Sequence, residues 1–169
     1  MTVTQTYSIY VACLAAYNNG KLHGVWVDID EGTTLDDVIE EVQTMLRNSP
    51  EEGAEEWEIH DTDWYGGHSP TTIEEAVEYV EKLSESYLDD DAFASFVSLW
   101  GVDDAGHADE AYAGKWDSDE AFAENYVDEM GYLNQIPEHL HYYFDYEKYA
   151  ADLMINDYSE HNGYYFSKN

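Results

Sequence analysis

Positive charge is almost missing from this sequence. Six Lys and Arg stand against 38 Asp and Glu in 169 residues, which leaves a formal net charge of −32. Binding to nucleic acid needs a basic footprint that releases counterions from phosphates. The anionic cytoplasmic leaflet likewise attracts Lys and Arg, not carboxylates. Neither nucleic acid nor a membrane is therefore expected as a partner. Cysteine is reduced to Cys13, which excludes an intrachain disulfide and reads as a small core residue rather than a nucleophile. No apolar run approaches the roughly 20 residues of a membrane span. The start, Met1 to Thr6, has no positively charged n-region, so a cytoplasmic protein is expected.

Aromatic residues are plentiful by contrast: 16 Tyr, 5 Trp and 5 Phe within a hydrophobic fraction of 44%. Acidic disordered tails are poor in both, so this chain has the material for packed cores. Its charge is also evenly spread. Residues 1–84 hold 18 acidic and 3 basic residues, and residues 85–169 hold 20 and 3. Like charges crowded on a sphere repel, and an elongated body spreads them at lower cost. A string of small packed units is the expectation.

The pattern divides into three. Tyr7–Cys13 reads as a buried strand, Asn18–Lys21 as a turn and Leu22–Asp28 as the returning strand. Thr33 or Thr34 caps a helix whose apolar face is Leu35, Val38, Ile39, Val42, Met45 and Leu46. Glu56–His60 alternates as a third strand. The Gly66-Gly67 region from His60 to Pro70 is a boundary. A helical middle follows, with Ile73, Ala76, Val77, Val80, Leu83 and Tyr87 along one helix and Phe93, Phe96, Val97 and Trp100 along the next. Gly101–Gly106 is a second break. The last third mixes a short strand at 112–116, a helix capped by Ser118, a helical turn after Pro137, a helix over 146–155 and a hairpin around Asn162-Gly163. The expected fold is α+β: 1–64, a small antiparallel sheet with one helix; 65–104, a helical domain; 105–169, a mixed domain that self-associates through its aromatic residues.

No enzyme signature is present. With 38 acids, a carboxylate pair at catalytic separation arises by chance, and nothing marks two environments that would drive their pKa values apart. Asp28-Ile29-Asp30-Glu31-Gly32 opens like a calcium loop, but its glycine falls one position early and the twelfth position is Ile39. His139 and His141 diverge on a helical turn, and His60, Asp61, Asp63 and His68 lack metal-ligand spacing. No phosphate-binding glycine loop or nucleophile elbow occurs. No cofactor, metal or catalytic residue is expected.

Ile9-Tyr10-Val11-Ala12-Cys13-Leu14-Ala15-Ala16-Tyr17-Asn18-Asn19-Gly20-Lys21-Leu22-His23-Gly24-Val25-Trp26 closely resembles the opening of ArdA antirestriction proteins. Glu55–Asp61, Gly114–Ser118, Ile136–Leu140, Tyr143–Glu147 and Asp152-Leu153 are similar to later segments of that family, in the same order. The resemblance implies a DNA mimic carried on mobile elements. Such a protein occupies the DNA-binding groove of type I restriction–modification enzymes, on their specificity and modification subunits, and protects incoming DNA. It also implies an elongated, curved chain of three small domains that forms a homodimer through the third. The family's antirestriction motif would fall around Val127 to Leu140, taking in Val127, Asp128, Glu129, Ile136, Pro137 and Leu140, with Tyr143 and Phe144 beside it. That region is expected to act through assembly.

Duplex DNA carries about one charge per 1.7 Å of axis, so 32 charges match roughly 54 Å, or about 16 base pairs. The expected phosphate mimics are distributed. Asp28 stands at a strand end; Asp36, Asp37, Glu40 and Glu41 line the first helix; Glu74, Glu75, Glu78 and Glu81 line the second. Asp89 and Asp90 open the next helix, and Asp119 and Glu120 open one in the last third. Three rivals share part of this profile: a halophilic protein, a carboxylate enzyme, and an acidic chaperone or adaptor for basic DNA-binding proteins. The alternative reading that stays closest is the chaperone, which needs the charge but not the length.

Overall fold

The computed structural model describes residues 3–168; Met1, Thr2 and Asn169 lie outside the described residues. The fold is mixed α+β with two three-stranded antiparallel sheets. The chain gathers into two compact units, one up to Gly106 and one from His107.

In the first unit, β1 (Tyr7–Cys13) is the central strand. Tyr7, Ile9, Val11 and Cys13 alternate onto one face and are all buried. A short α1 (Leu14–Asn18) follows directly, and β2 (Gly24–Asp28) returns on one side of β1. The inner face is covered by α2 (Leu35–Arg47), whose Val38, Val42, Met45 and Leu46 recur at helical spacing and are buried. Thr34 and Asp37 form a capping box at its start, satisfying two otherwise unpaired backbone N–H groups. Burying each such aliphatic side chain contributes roughly 1.5–3 kcal/mol, so four of them fix the helix on the sheet.

β3 (Trp57–Trp64) pairs with the other side of β1 and runs four residues past the expected end at His60. A bulge explains why the alternation looked shorter. Tyr10 faces Asp61 and Val11 faces Ile59, so His60 is the extra residue and the pattern slips by one there. α3 (Ile73–Glu85) and α4 (Asp90–Trp100) complete the unit, capped by Thr72 and Asp89. Tyr87, expected inside, is 62% exposed, because it lies beyond the end of α3.

The second unit opens with α5 (Ala108–Ala111), β4 (Tyr112–Lys115) and α6 (Asp119–Glu129), the last capped by Ser118. Two 3-10 turns, Tyr132–Gln135 and Glu138–Tyr143, lead to α7 (Tyr146–Asn156). The closing hairpin is β5 (Tyr158–His161) and β6 (Tyr164–Ser167), and β6 is central in the order β4-β6-β5. Its turn residues Asn162 and Gly163 have φ of 51° and 83°, the positive values that a two-residue hairpin turn demands. Phe122, Ala123, Ala150, Leu153 and Tyr165 form the core. The rings of Phe122 and Tyr165 stack there at 4.7 Å.

Candidate acidic interaction surface

Six cations cannot neutralise 38 carboxylates; if every Lys and Arg took one, 32 would remain. Several cations are already committed to the fold. Lys82 donates to the Val102 and Asp103 carbonyls at 2.9 and 2.8 Å and pairs with Glu78 at 2.7 Å. Lys168 donates to the Met154 and Ile155 carbonyls at the end of α7, and Lys21 pairs with Glu51.

Helix geometry decides where the acids stand. On α2 the inward stripe pushes Asp36, Asp37, Glu40 and Glu41 to the exposed side. Asp37 and Asp36 also occupy the first turn, where the helix dipole favours negative charge. The Thr34 hydroxyl, with its backbone N–H, holds the Asp37 carboxyl below the usual carboxylate range. Asp37, Glu40 and Glu41 border an open cleft of about 600 Å³ together with His23, Val25 and Met45.

The α3 acids behave similarly. Glu74 and Glu81 are exposed, and Glu75 and Glu78 half-buried. Partial burial pushes Glu75 up, but the Thr71 amide and hydroxyl and His68 together outweigh it and hold it below its ordinary value. His68 Nε2 lies 2.9 Å from the Glu75 carboxylate. Glu74, Glu75 and Glu78 border a second cleft, of about 430 Å³, with Trp100 and Asp103.

Asp89 is exposed and caps α4 through the Ala92 N–H at 2.8 Å. Asp90 departs from the sequence expectation of a surface carboxylate. It is 4% exposed and accepts from Tyr7 OH at 2.7 Å and Thr4 Oγ1 at 2.8 Å. Its place on the inner side of the first turn assigns it to the core. Asp119 and Glu120 are exposed at the start of α6, and Asp119 accepts from Tyr165 OH at 2.6 Å.

Asp28 is exposed on the outer face of the first sheet, and the register adds three acids that the sequence reading did not count among the phosphate mimics. Paired residues share a face. Ser8 is flanked by Asp28 and Asp63, Tyr10 by Trp26 and Asp61, and Ala12 by Gly24 and Glu58. Glu58, Asp61 and Asp63 are all exposed. The signal for them was the run of acids between Trp57 and Trp64, masked by the bulge at His60.

Around the expected motif the surface changes character. Val127 is fully buried in α6, while Asp128 and Glu129 are exposed. Ile136, Leu140, Tyr142 and Tyr143 are 37%, 41%, 90% and 75% exposed; Pro137 is exposed and starts the turn that carries the last three. Phe144 is half-buried, 5.7 Å from the Tyr149 ring. An apolar strip thus sits among acids, and His141 Nε2 lies 3.1 Å from the Ile136 carbonyl inside it.

Among the described residues no cluster of three His, Cys, Asp or Glu side chains is placed to hold a metal ion, and no helix is long and apolar enough to cross a membrane. No curated protein matches the chain. The family model of the antirestriction protein ArdA matches residues 9–166, which take in every helix from α1 to α7 and all but the outermost residues of the two sheets. The chain belongs to the ArdA family of antirestriction proteins.

Proposed function

We propose that this protein is a DNA mimic that occupies the DNA-binding groove of type I restriction–modification enzymes, engaging their specificity and modification subunits, and so blocks cleavage of incoming DNA. The observation that carries this reading is the surplus of 32 carboxylates over cations, many of them exposed on outward helix faces and on the outer sheet face. Lysines and arginines that normally meet phosphates would meet these carboxylates instead. Phosphate contacts position a protein on DNA and carry no sequence information directly. A mimic of the backbone alone would therefore inhibit enzymes irrespective of their recognition sequences.

The protein acts by occupancy rather than by chemistry, in the cytoplasm where those enzymes work. The third segment, 105–169, supplies the contact between two copies, through the exposed strip from Ile136 to Tyr143. A dimer doubles the charge presented to one groove.

The test is competition. Titrated against a purified type I methyltransferase core holding labelled duplex, the protein should release the duplex near stoichiometry at moderate salt. A duplex that stays bound at large excess of the protein overturns the reading.

A further inference from the structure

The outer face of the first sheet is more than acidic. Trp26, on β2, is 48% exposed although it is the cross-strand partner of Tyr10, and the two rings lie 5.4 Å apart, tilted by 46°. Gly24 makes room for this pair: a Cβ there would fall 2.6 Å from the Tyr10 hydroxyl and 2.5 Å from the Val11 carbonyl. Two residues along the same strand, Asp28 lies about 7 Å from Trp26 on the same face. Ser8, itself 5% exposed, donates to Asp28 Oδ1 at 2.6 Å. One carboxylate oxygen is thereby fixed, while Asp28 as a whole remains exposed. Asp61 and Asp63 face the same rows from β3.

We propose that Trp26 and Asp28 form a seat for an arginine side chain of the target's DNA-binding channel, with the guanidinium lying on the indole and hydrogen-bonded to the Asp28 oxygen that Ser8 does not hold. The inference rests on the function proposed above and names the chemistry of one contact within it. Charge complementarity selects a cation. The indole selects which one, because a planar guanidinium stacks on an aromatic face while an ammonium is a compact, strongly hydrated point charge. Simple phosphate mimicry requires carboxylates alone and would not distinguish the two.

Two arms test the seat. In the first, Trp26→Leu and the conservative Trp26→Phe are compared with the unaltered protein in displacing labelled duplex from a type I methyltransferase core. Far-ultraviolet dichroism checks the fold of each. About five-fold more Trp26→Leu should be needed, with Trp26→Phe falling between. Displacement by Trp26→Leu equal to that by the unaltered protein overturns the seat and leaves the mimic reading standing.

In the second arm, arginine and lysine peptides of equal length are titrated into each protein. The unaltered chain should bind the arginine peptide about five-fold more tightly, and Trp26→Leu should bring the two near parity. This arm speaks for the seat even if duplex is never displaced, which would overturn only the mimic reading. No arginine preference in the unaltered protein, or one that survives Trp26→Leu, overturns the seat.

Discussion

Tyr7 donates its hydroxyl to the carboxylate of Asp90 at 2.7 Å, joining the first strand of the chain to the first turn of α4. Both groups are buried, and Thr4 supplies a second hydroxyl at 2.8 Å. Burial, then Asp90 itself, raises the Tyr7 pKa well above the ordinary tyrosine value. Removing the carboxylate takes the acceptor from a buried phenol. Asp90→Ala should cost about 2 kcal/mol of stability, read from urea unfolding. Displacement of duplex per folded molecule should stay unchanged, because this acid does not face solvent.

The surface acids should show the opposite profile. Each exposed ion pair with a target is worth about 0.2–1 kcal/mol, so Glu40→Gln alone should change competition by less than about five-fold. Successive neutralisation of Glu40, Glu41, Glu74 and Glu81 should weaken it stepwise, with unfolding midpoints held or slightly raised as self-repulsion falls. Abrupt loss from any single member of that series would contradict distributed mimicry.

These contrasts mark what the sequence could and could not reveal. The Ser118 cap, and the choice of Thr33 or Thr34 for α2, were readable because capping is local chemistry. So was the hairpin at Asn162-Gly163, where positive φ restricts the choice of residue. The bulge at His60 was not readable, since register belongs to the pairing with β1. Asp90 was misplaced for a related reason. Asp89, Asp90 and Asp91 look equivalent as a run, and only the packing of α4 against Tyr7 separates the capping acid from the buried one.

Salt should act on folding and on binding in opposite directions. Screening extends over about 10 Å at 0.1 M salt, which relieves repulsion among the carboxylates. The melting temperature should therefore rise from low to moderate salt. Affinity for a cationic groove should fall over the same range. A chain that unfolds at low salt would instead support halophilic adaptation, and melting curves alongside competition titrations separate the two.

The strip at 136–143 yields a prediction about assembly. Tyr142 and Tyr143 are 90% and 75% exposed beside Leu140, an arrangement that water penalises unless a partner covers it. The proposed dimer should give way to monomer in light scattering when a charge is placed there, as in Tyr143→Glu. The fold should remain, since the core around Phe122 and Leu153 is untouched. A dimer that survives Tyr143→Glu and Leu140→Lys together would place the contact elsewhere.

Alkaline pH should loosen the second unit, in a range where carboxylates are already ionised and phenols titrate. Tyr126 packs near the rings of Phe122, Tyr132, Tyr149 and Tyr158. Burial, followed by the neighbouring tyrosines, pushes its pKa from 10.0 to about 12. Tyr149, Tyr158 and Tyr165 are also raised, each chiefly by burial. The sign follows from proton counting. Between the unfolded and folded values the unfolded chain has released the phenolic proton while the folded chain retains it, so stability falls as pH rises. The contribution is complete below about pH 10 and is lost on rising through the folded value near 12. Urea unfolding followed from about pH 9 upward should show a declining midpoint, and Tyr126→Phe should flatten the decline without abolishing it, because Tyr149, Tyr158 and Tyr165, with Tyr7 and Tyr79 of the first unit, still carry raised values. A midpoint independent of pH across that window would mean that these phenols reach water in the folded protein.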